Sequence, residues 1–153
     1  MNHELIIADA SCLIVLQNIQ ELPILQKLFG EVFITGEVGK EFGLELPEWI
    51  KIRKVVNTSK KEALSLVLDE GEASSIALSL EIGDSILIID EKKGRRIAQE
   101  LGIKIIGTLG VILRAKERGL INSIENLLEK LESAEFRISE NLKANILGSD
   151  SDA

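Results

Sequence analysis

Acidic side chains stand at the ends of several apolar stretches of this chain. Asp9 directly follows the segment LIIA, and Asp90 directly follows ILII. Glu72 opens the helical pattern GEASSIALSL, and Glu41 closes the pattern GEVGKE. Carboxylates gathered in a partly dry crevice repel one another unless a cation or raised pKa values relieve them. Oxygen ligands without histidine or cysteine suit Mg²⁺ or Mn²⁺, so these four acids predict a site for one of those ions.

Each acid also has a purely structural interpretation. Asp9 and Asp90 could each cap the helix that follows. Asp69 and Glu72 have the spacing of a capping box, in which the glutamate reaches back to the start of its own helix. Glu41 could be an ordinary surface glutamate. The residue types alone leave these alternatives open.

Short apolar, β-branched runs alternate with longer helical patterns along the chain. The predicted strands are residues 5–8, 32–34, 50–56, 86–89 and 104–106. They are mostly continuous apolar runs, as in parallel strands that are buried on both faces. The predicted helices are residues 11–18, 22–29, 35–42, 60–68, 70–82, 92–101, 109–118, 121–131 and 139–147. This alternation predicts an α/β protein with a three-layer α/β/α fold and a central, mainly parallel five-stranded sheet.

The order of these elements gives the acids a common location. In an open α/β sheet, ligands bind in the crevice at the carboxyl ends of the strands. Asp9 and Asp90 each come just after a predicted strand, and Glu72 begins a predicted helix. We therefore expect a single site at that edge. The amphipathic helix at 121–131 is expected either to cover the sheet or to contribute to a contact between two copies of the chain.

The composition fits one compact domain. The chain has 153 residues, of which 45% are apolar, and a chain of that length buries roughly two-thirds of its unfolded surface. We expect one domain over residues 1–148 and a disordered tail over the small, polar residues 149–153. The apolar runs are far shorter than the roughly 20 residues of a membrane span, and the first residues lack a signal-peptide pattern. The sequence therefore predicts a cytoplasmic protein with no membrane partner.

Charge is unevenly distributed along the chain. The formal net charge is −7, which argues against a protein that coats nucleic acid with its whole surface. The segment 91–118 nevertheless contains eight basic and three acidic residues. Lys92, Lys93, Arg95 and Arg96 stand at the start of a helical pattern within it, where an arginine could hold a phosphate through two hydrogen bonds. A solvated helix face would explain the same charges.

Three other α/β classes fit less well. A dinucleotide-binding domain would carry a G-x-G-x-x-G motif after its first strand, and this chain has none there. A phospho-acceptor receiver domain places a pair of acids after that strand, whereas Ala10 and Ser11 follow Asp9. A haloacid-type phosphatase carries a second aspartate two residues on, at the position of Ser11. None of these classes accounts for Asp9 and its neighbours.

Four stretches together resemble the PIN-domain family. They are IIADASCLIVL, GEVGKEF, LDEGEASSIALSL and IIDEKKGRRIAQELGIKIIGTLGVILRAKERGLI. The likeness covers about residues 5–131. It is closest to the prokaryotic subgroup with a GEA helix start and an Asp-acidic, Arg-Arg, Gly-Thr-Leu-Gly block. The D-x-S start alone is weak, whereas the long last stretch is much more specific.

The resemblance implies a PIN-like fold and a divalent-metal-dependent endoribonuclease that hydrolyses RNA phosphodiester bonds with Mg²⁺ or Mn²⁺. Proteins of this kind are toxins that are usually paired with a small antitoxin protein, so we expect an RNA substrate, an antitoxin partner and a homodimer. The acidic quartet of the family falls on Asp9, Glu41, Glu72 and Asp90. Glu37 lies one helical turn before Glu41 and is the alternative for that position.

The resemblance also assigns supporting residues. The small hydroxyl residue after the first aspartate is Ser11, and the later one is Thr108. Glu91 stands where many relatives have a second aspartate, and Glu72 stands where other subgroups have aspartate. These two departures keep an alternative open, namely a catalytically silent PIN-like module that binds RNA or a protein.

Overall fold

Five short strands form the central sheet of the protein. The computed structural model describes residues 4–151. Its strands are β1 (Leu5–Ala8), β2 (Val32–Ile34), β3 (Ile50–Ile52), β4 (Ser85–Ile88) and β5 (Lys104–Ile106). Their order across the sheet is β3-β2-β1-β4-β5, and every neighbouring pair is parallel. The predicted parallel five-stranded sheet is confirmed.

Helices cover both faces of this sheet. They are α1 (Ala10–Asn18), α2 (Pro23–Phe29), α3 (Gly36–Phe42), α4 (Thr58–Ser65), α5 (Glu70–Ile82), α6 (Lys92–Glu100), α7 (Thr108–Glu117), α8 (Ile124–Ser133) and α9 (Glu140–Ser151). Side chains of α4, α5 and α6 pack on one face of the sheet. Side chains of the other six described helices pack on the opposite face. The three-layer α/β/α fold is therefore confirmed.

Successive residues of β1 show how the two cores are separated. Ile6 and Ala8 belong to the core beneath α1, α2 and α7, whereas Ile7 belongs to the core beneath α5. All three side chains are buried, because successive side chains of a strand point to opposite faces and here both faces are covered. This explains why the strands are continuous apolar runs in the sequence.

The chain changes its winding direction between β1 and β4. From β1 it proceeds outward through β2 to β3, then returns to place β4 on the other side of β1. The crevice at the carboxyl ends of β1 and β4 is thus a topological switch point, where sheets of this kind bind ligands. The hydrogen bond from Asp9 N–H to the Ile88 carbonyl, 2.9 Å long, extends the β1–β4 pairing up to that crevice.

Several element boundaries differ from the predicted ones. The third strand ends at Ile52 rather than at residue 56, because β2 ends at Ile34 and offers no further pairing after the bond from Arg53 N–H to the Ile34 carbonyl. Helix α8 begins three residues later than predicted, because the Ser123 hydroxyl caps it by accepting from Asn126 N–H at 3.1 Å. Sequence patterns do not register where a pairing partner or a cap ends an element.

Two further expectations concern the end of the chain and helix α8. The apolar side of α8, which includes Leu127, Leu128 and Leu131, is buried within the chain, so this helix contributes to the core on that side of the sheet. The backbone of α9 continues to Ser151, while residues 152 and 153 of the predicted tail lie outside the described part of the chain. Among the described residues, no helix is long and apolar enough to cross a membrane.

Candidate metal centre and active site

Asp9 lies at the N-terminus of α1 but does not cap it. The residue occupies the N-cap position, yet its side chain makes no capping hydrogen bond. Oδ2 accepts from the Ser11 hydroxyl at 3.4 Å, whereas Oδ1 is buried without a hydrogen-bond partner. The side chain is only 4% exposed. A buried carboxylate oxygen with no partner is costly, so capping does not explain Asp9.

Three carboxylate oxygens converge beside Gly71, in the first turn of α5. A Cβ atom added to Gly71 would lie 2.8 Å from Glu41 Oε1, 3.4 Å from Asp9 Oδ1 and 3.6 Å from Asp69 Oδ1. Glycine leaves this point free. The three oxygens therefore surround a space that any larger residue at position 71 would fill.

Burial and neighbouring charge change the ionisation of this group. Burial raises the pKa of Asp9 to about 6, with the Ala10 backbone amide opposing and the charges of Glu41 and Asp69 adding to the rise. Burial and the charge of Asp69 also raise the pKa of Glu41. Like charges and lost hydration both favour the neutral acid. A cation in this space would relieve both effects.

Glu72, in the first turn of α5, extends the cluster towards α6. It is 6% exposed, because α5 is buried at every position from Gly71 to Ser79. Burial, followed by the charge of Asp69 and a hydrogen bond with it, raises the pKa of Glu72 to about 8. Asp69 Oδ1 accepts from Glu72 N–H at 2.8 Å and so caps α5. Glu72 therefore takes part in a local cap and also lies within the acid cluster.

Glu91 meets Glu72 beside Gly94. A Cβ atom added to Gly94 would lie 3.2 Å from Glu72 Oε2 and 3.6 Å from Glu91 Oε2. Glu91 Oε2 accepts from Gly94 N–H at 2.8 Å, and Glu91 is the N-cap of α6. The hydrogen bonds from the backbone amides of Gly94 and Lys93 lower the pKa of Glu91. Glu91, not Asp90, is thus the residue that caps α6.

Asp90 is fixed by the start of α7 instead. Its Oδ1 accepts from Thr108 N–H at 2.7 Å, and its Oδ2 accepts from the Thr108 hydroxyl at 2.5 Å. Asp90, Glu41 and Ser11 line one cavity of about 350 Å³. This cavity connects Asp90 to the Asp9 side of the cluster, because Ser11 donates to Asp9.

Helices α3 and α5 are tied together close to the acids that they carry. The Thr35 hydroxyl caps α3 by accepting from Val38 N–H at 3.2 Å, and it lies 2.7 Å from the Ser74 hydroxyl of α5. Glu37 forms an ion pair with Lys61 at 2.7 Å, whereas Glu41 lies beside Asp9 and Asp69. Of the two glutamates of α3, Glu41 is the one that joins the cluster.

The basic residues after Asp90 divide into two groups. Lys92, Lys93 and Arg96 are exposed. Arg95 is half-buried, and its Nη1 donates to the Ile89 carbonyl at 2.8 Å. Lys92, Lys93 and Arg96 therefore face solvent. Arg95 is held against the end of the sheet by its hydrogen bond to Ile89.

Asp69 lies in the acid cluster, although sequence reasoning did not place it there. Its capping role was visible in the sequence, but that role alone gave no reason to place it among the cluster acids. The structure places its Oδ1 beside Asp9 and Glu41. The spacing indicates only that Asp69 lies close to Glu72, since an N-cap residue adjoins the first turn of its own helix.

The donor set fits a hard divalent cation. Among residues 4–151, no three Asp, Glu, His or Cys side chains stand close enough together to form a preassembled metal site. The acids are nevertheless gathered around the space beside Gly71, and the unpartnered Asp9 Oδ1 borders it. Without a cation, ionised carboxylates repel one another. Oxygen ligands of this kind match Mg²⁺ or Mn²⁺ rather than a softer metal.

The parallel α/β fold places the acid cluster at its topological switch point. A family model described as a PIN domain matches residues 5–151. The chain therefore belongs to the PIN-domain family, as its sequence motifs predicted. PIN domains are commonly nucleases that act on RNA and use divalent metals. No curated protein matches this chain significantly.

Proposed function

We propose that the chain is a divalent-metal-dependent endoribonuclease that hydrolyses RNA phosphodiester bonds. The observation that carries the proposal is the convergence of Asp9, Glu41 and Asp69 on the space beside Gly71, with Asp9 Oδ1 buried and unpartnered. Glu72 adjoins this group through Asp69. Within this group Asp9 and Glu72 are buried, whereas Glu41 and Asp69 are exposed. Buried carboxylates are costly to the fold unless they are paired, and a cation would offset that cost.

Asp9, Glu41, Glu72 and Asp90 would hold Mg²⁺ or Mn²⁺, with Asp69 beside them. When bound, such an ion acidifies a water molecule and offsets the negative charge of the phosphate. Ser11 orients Asp9 and Thr108 orients Asp90 through the hydrogen bonds described above. Hydrogen-bonded carboxylates keep the direction of their free lone pairs, which a cation requires.

The raised pKa values give the site a defined pH response. Asp9 is mostly protonated below about pH 6, and Glu72 is mostly protonated below about pH 8. Cation binding needs both carboxylates in the ionised form, so affinity rises with pH. The exposed Lys92, Lys93 and Arg96 supply positive charge for the flanking RNA phosphates.

The test combines Mn²⁺ calorimetry with an RNA cleavage assay on the same samples. We expect the wild type to bind Mn²⁺ and to cleave RNA, and we expect Asp9→Asn to do neither. Asp84→Asn is the matched control, because Asp84 is exposed and precedes β4 at the opposite end of the strand. Full cleavage by Asp9→Asn would contradict the proposal.

A catalytically silent PIN-like module that binds RNA or a protein is the second candidate function. The absence of a preassembled three-ligand set within residues 4–151 favours it. The two proposals differ in one measurement. If the chain is a silent module, calorimetry of the wild type will detect no Mn²⁺ binding. If it is a nuclease, the wild type will bind Mn²⁺ and Asp9→Asn will not.

We further propose that the biological role is that of a toxin with an antitoxin partner, and that the chain forms a homodimer. The family likeness supports both, and exposed apolar side chains on β3 and around α4 offer surface for a protein partner: Ile52, Val56, Leu66 and Val67. Expression of wild type in a bacterial host is expected to arrest growth, and Asp9→Asn is not. Light scattering of the purified chain tests the dimer.

A further inference from the structure

The cavity of about 350 Å³ beside Asp90 contains more than acids. Its lining also includes side chains that metal chemistry does not use: Ile14, Val15, Asn18, Ala134 and Phe136. Cavities that hold small organic ligands start at about this size. Its volume is sufficient for one flat heterocycle. An apolar wall next to the acid cluster is the feature that the proposed hydrolysis leaves unexplained.

A strained turn sets the position of Phe136. The Phe136 N–H bonds the Leu131 carbonyl at 2.9 Å, and the Glu135 N–H bonds the Glu132 carbonyl at 3.0 Å. This is the Schellman arrangement that ends a helix, here α8. Glu135 adopts a φ of 65°, a conformation that favours glycine. Strain of this kind persists where the surrounding structure requires it and is common near functional sites.

We propose that this cavity binds one unpaired nucleobase of the RNA substrate, stacked on Phe136, beside the phosphate that the acid cluster processes. The inference rests on the proposed nuclease function and names the form of RNA that it takes. Glu41, Asp90 and Glu135 all line this cavity and disfavour a second phosphate there, since like charges repel. A base is neutral and flat, so it matches the apolar wall.

The chemistry of the lining also specifies the state of the base. Asn18 is exposed and carries an amide, which offers one acceptor and two donors to the edge of a base. A base can reach the cavity only after it has left its own stack, so single-stranded loops and ends are the substrates. Stacking on an aromatic ring tolerates any base, and Asn18 supplies the discrimination.

The test compares nucleotides that the enzyme cannot cleave. Calorimetry in Mn²⁺ measures the binding of the four nucleoside monophosphates and of ribose 5-phosphate, which has the same phosphate and no base. We expect wild type to bind at least one nucleotide about 10-fold more tightly than ribose 5-phosphate. Phe136→Leu keeps an apolar side chain without the aromatic face. For this variant, the ratio of nucleotide affinity to ribose 5-phosphate affinity is expected to fall to about 2 or less.

Two further variants separate stacking from packing. Phe29→Leu is the matched control, because Phe29 is half-buried against the same core and does not line the cavity. It should keep the wild-type ratio. Asn18→Ala changes an exposed residue and should alter the ranking of the four nucleotides without loss of the fold.

The outcomes distinguish this inference from the proposed function. Equal binding of nucleotides and ribose 5-phosphate by wild type would overturn the base site, even if RNA is cleaved. An unchanged ratio in a folded Phe136→Leu would overturn the role of Phe136. A base-dependent ratio that Phe136→Leu abolishes supports the site, and it does so even if wild type cleaves no RNA, in which case only the nuclease function fails.

Discussion

Thr108 holds both carboxylate oxygens of Asp90. Its backbone N–H donates to Oδ1 at 2.7 Å, and its hydroxyl donates to Oδ2 at 2.5 Å. Thr108 is fully buried and is the first residue of α7. The pair therefore joins the crevice end of β4 to the helix that follows β5. Because both oxygens are held, the direction of the carboxylate is set by the fold.

Removal of the Thr108 hydroxyl tests this orientation. Thr108→Val keeps the shape of the side chain but frees Asp90 Oδ2. We expect Mn²⁺ affinity or cleavage to fall by about 10- to 100-fold, as for other groups that orient metal ligands. The free energy of unfolding should fall by about 1–2 kcal/mol for the lost hydrogen bond. Calorimetry, cleavage kinetics and thermal unfolding measure the three effects.

Thr108→Ser is the control for that change. Serine restores the hydroxyl and should recover most of the affinity and activity. If Val and Ser have equal effects, the hydroxyl has no orienting role and packing of the methyl group explains the loss.

Gly71 provides a steric test of the cluster. The Cβ of Gly71→Ala would lie 2.8 Å from Glu41 Oε1 and 3.4 Å from Asp9 Oδ1, so it would fill the space where the acids meet. We expect Mn²⁺ affinity to fall by roughly 10-fold, as when outer-shell support is lost. Alanine also favours a helix over glycine by up to about 1 kcal/mol, so stability should change little.

Gly36→Ala serves as the matched helical substitution. Gly36 is in the first turn of α3, and a Cβ there meets nothing within 4 Å. It should leave Mn²⁺ binding intact. Equal affinities for Gly71→Ala and wild type would show that the cation does not use the space beside Gly71.

The location of Asp9 and Asp90 at one edge of the sheet could be predicted from sequence, because the strands are strongly marked. Asp9 and Asp90 each come within two residues of the end of a parallel strand. The carboxyl ends of parallel strands lie at one edge, so the sequence positions fix their location. Residues outside strand ends were harder to place. The choice of Glu41 over Glu37 depends on which way α3 turns, and the ion pair of Glu37 with Lys61 shows this only in three dimensions.

Asp69 and Phe136 illustrate what sequence patterns leave out. Asp69 reads as a helix cap and is one, and nothing in its spacing shows that α3 brings Glu41 against it. Phe136 lies beyond the family motifs, in a turn between α8 and α9. Its placement beside Asp90 comes from the packing of α8 and from the hydrogen bonds of the turn. Such long-range contacts have no local signature.

Arg95 and Arg96 are expected to differ although they are adjacent. Arg96 is exposed, so Arg96→Ala should weaken RNA binding at all sequences and lower the salt dependence by about one ion, with no change in stability. Arg95 donates to the Ile89 carbonyl, so Arg95→Ala should also lower the free energy of unfolding by about 1 kcal/mol. Binding isotherms over a salt series and thermal unfolding separate the two. Identical salt slopes for wild type and Arg96→Ala would remove Arg96 from the RNA surface.

The raised pKa values of Asp9 and Glu72 predict how stability depends on pH without divalent ions. In the folded chain the pKa of Asp9 is about 6 against an ordinary 3.8, and that of Glu72 is about 8 against 4.5. Between about pH 4 and pH 8 the folded state therefore binds more protons than the unfolded state. The free energy of unfolding then decreases as pH rises through this range.

Asp9→Asn and Glu72→Gln remove this penalty by removing the charge. In a chelating buffer at pH 8 we expect each variant to be more stable than wild type by about 1–3 kcal/mol, which raises Tm by about 5 °C for a chain of this size. At pH 4 the gain should vanish, because both acids are then protonated in the folded state. Asp84→Asn, at an exposed site, should show neither effect.

Saturating Mn²⁺ should reverse the order of stability at pH 8, so that wild type becomes more stable than the variants, since only wild type gains stability from binding. A Tm of Asp9→Asn below that of wild type at pH 8 without divalent ions would show that Asp9 stabilises the fold and is not held there for a cation.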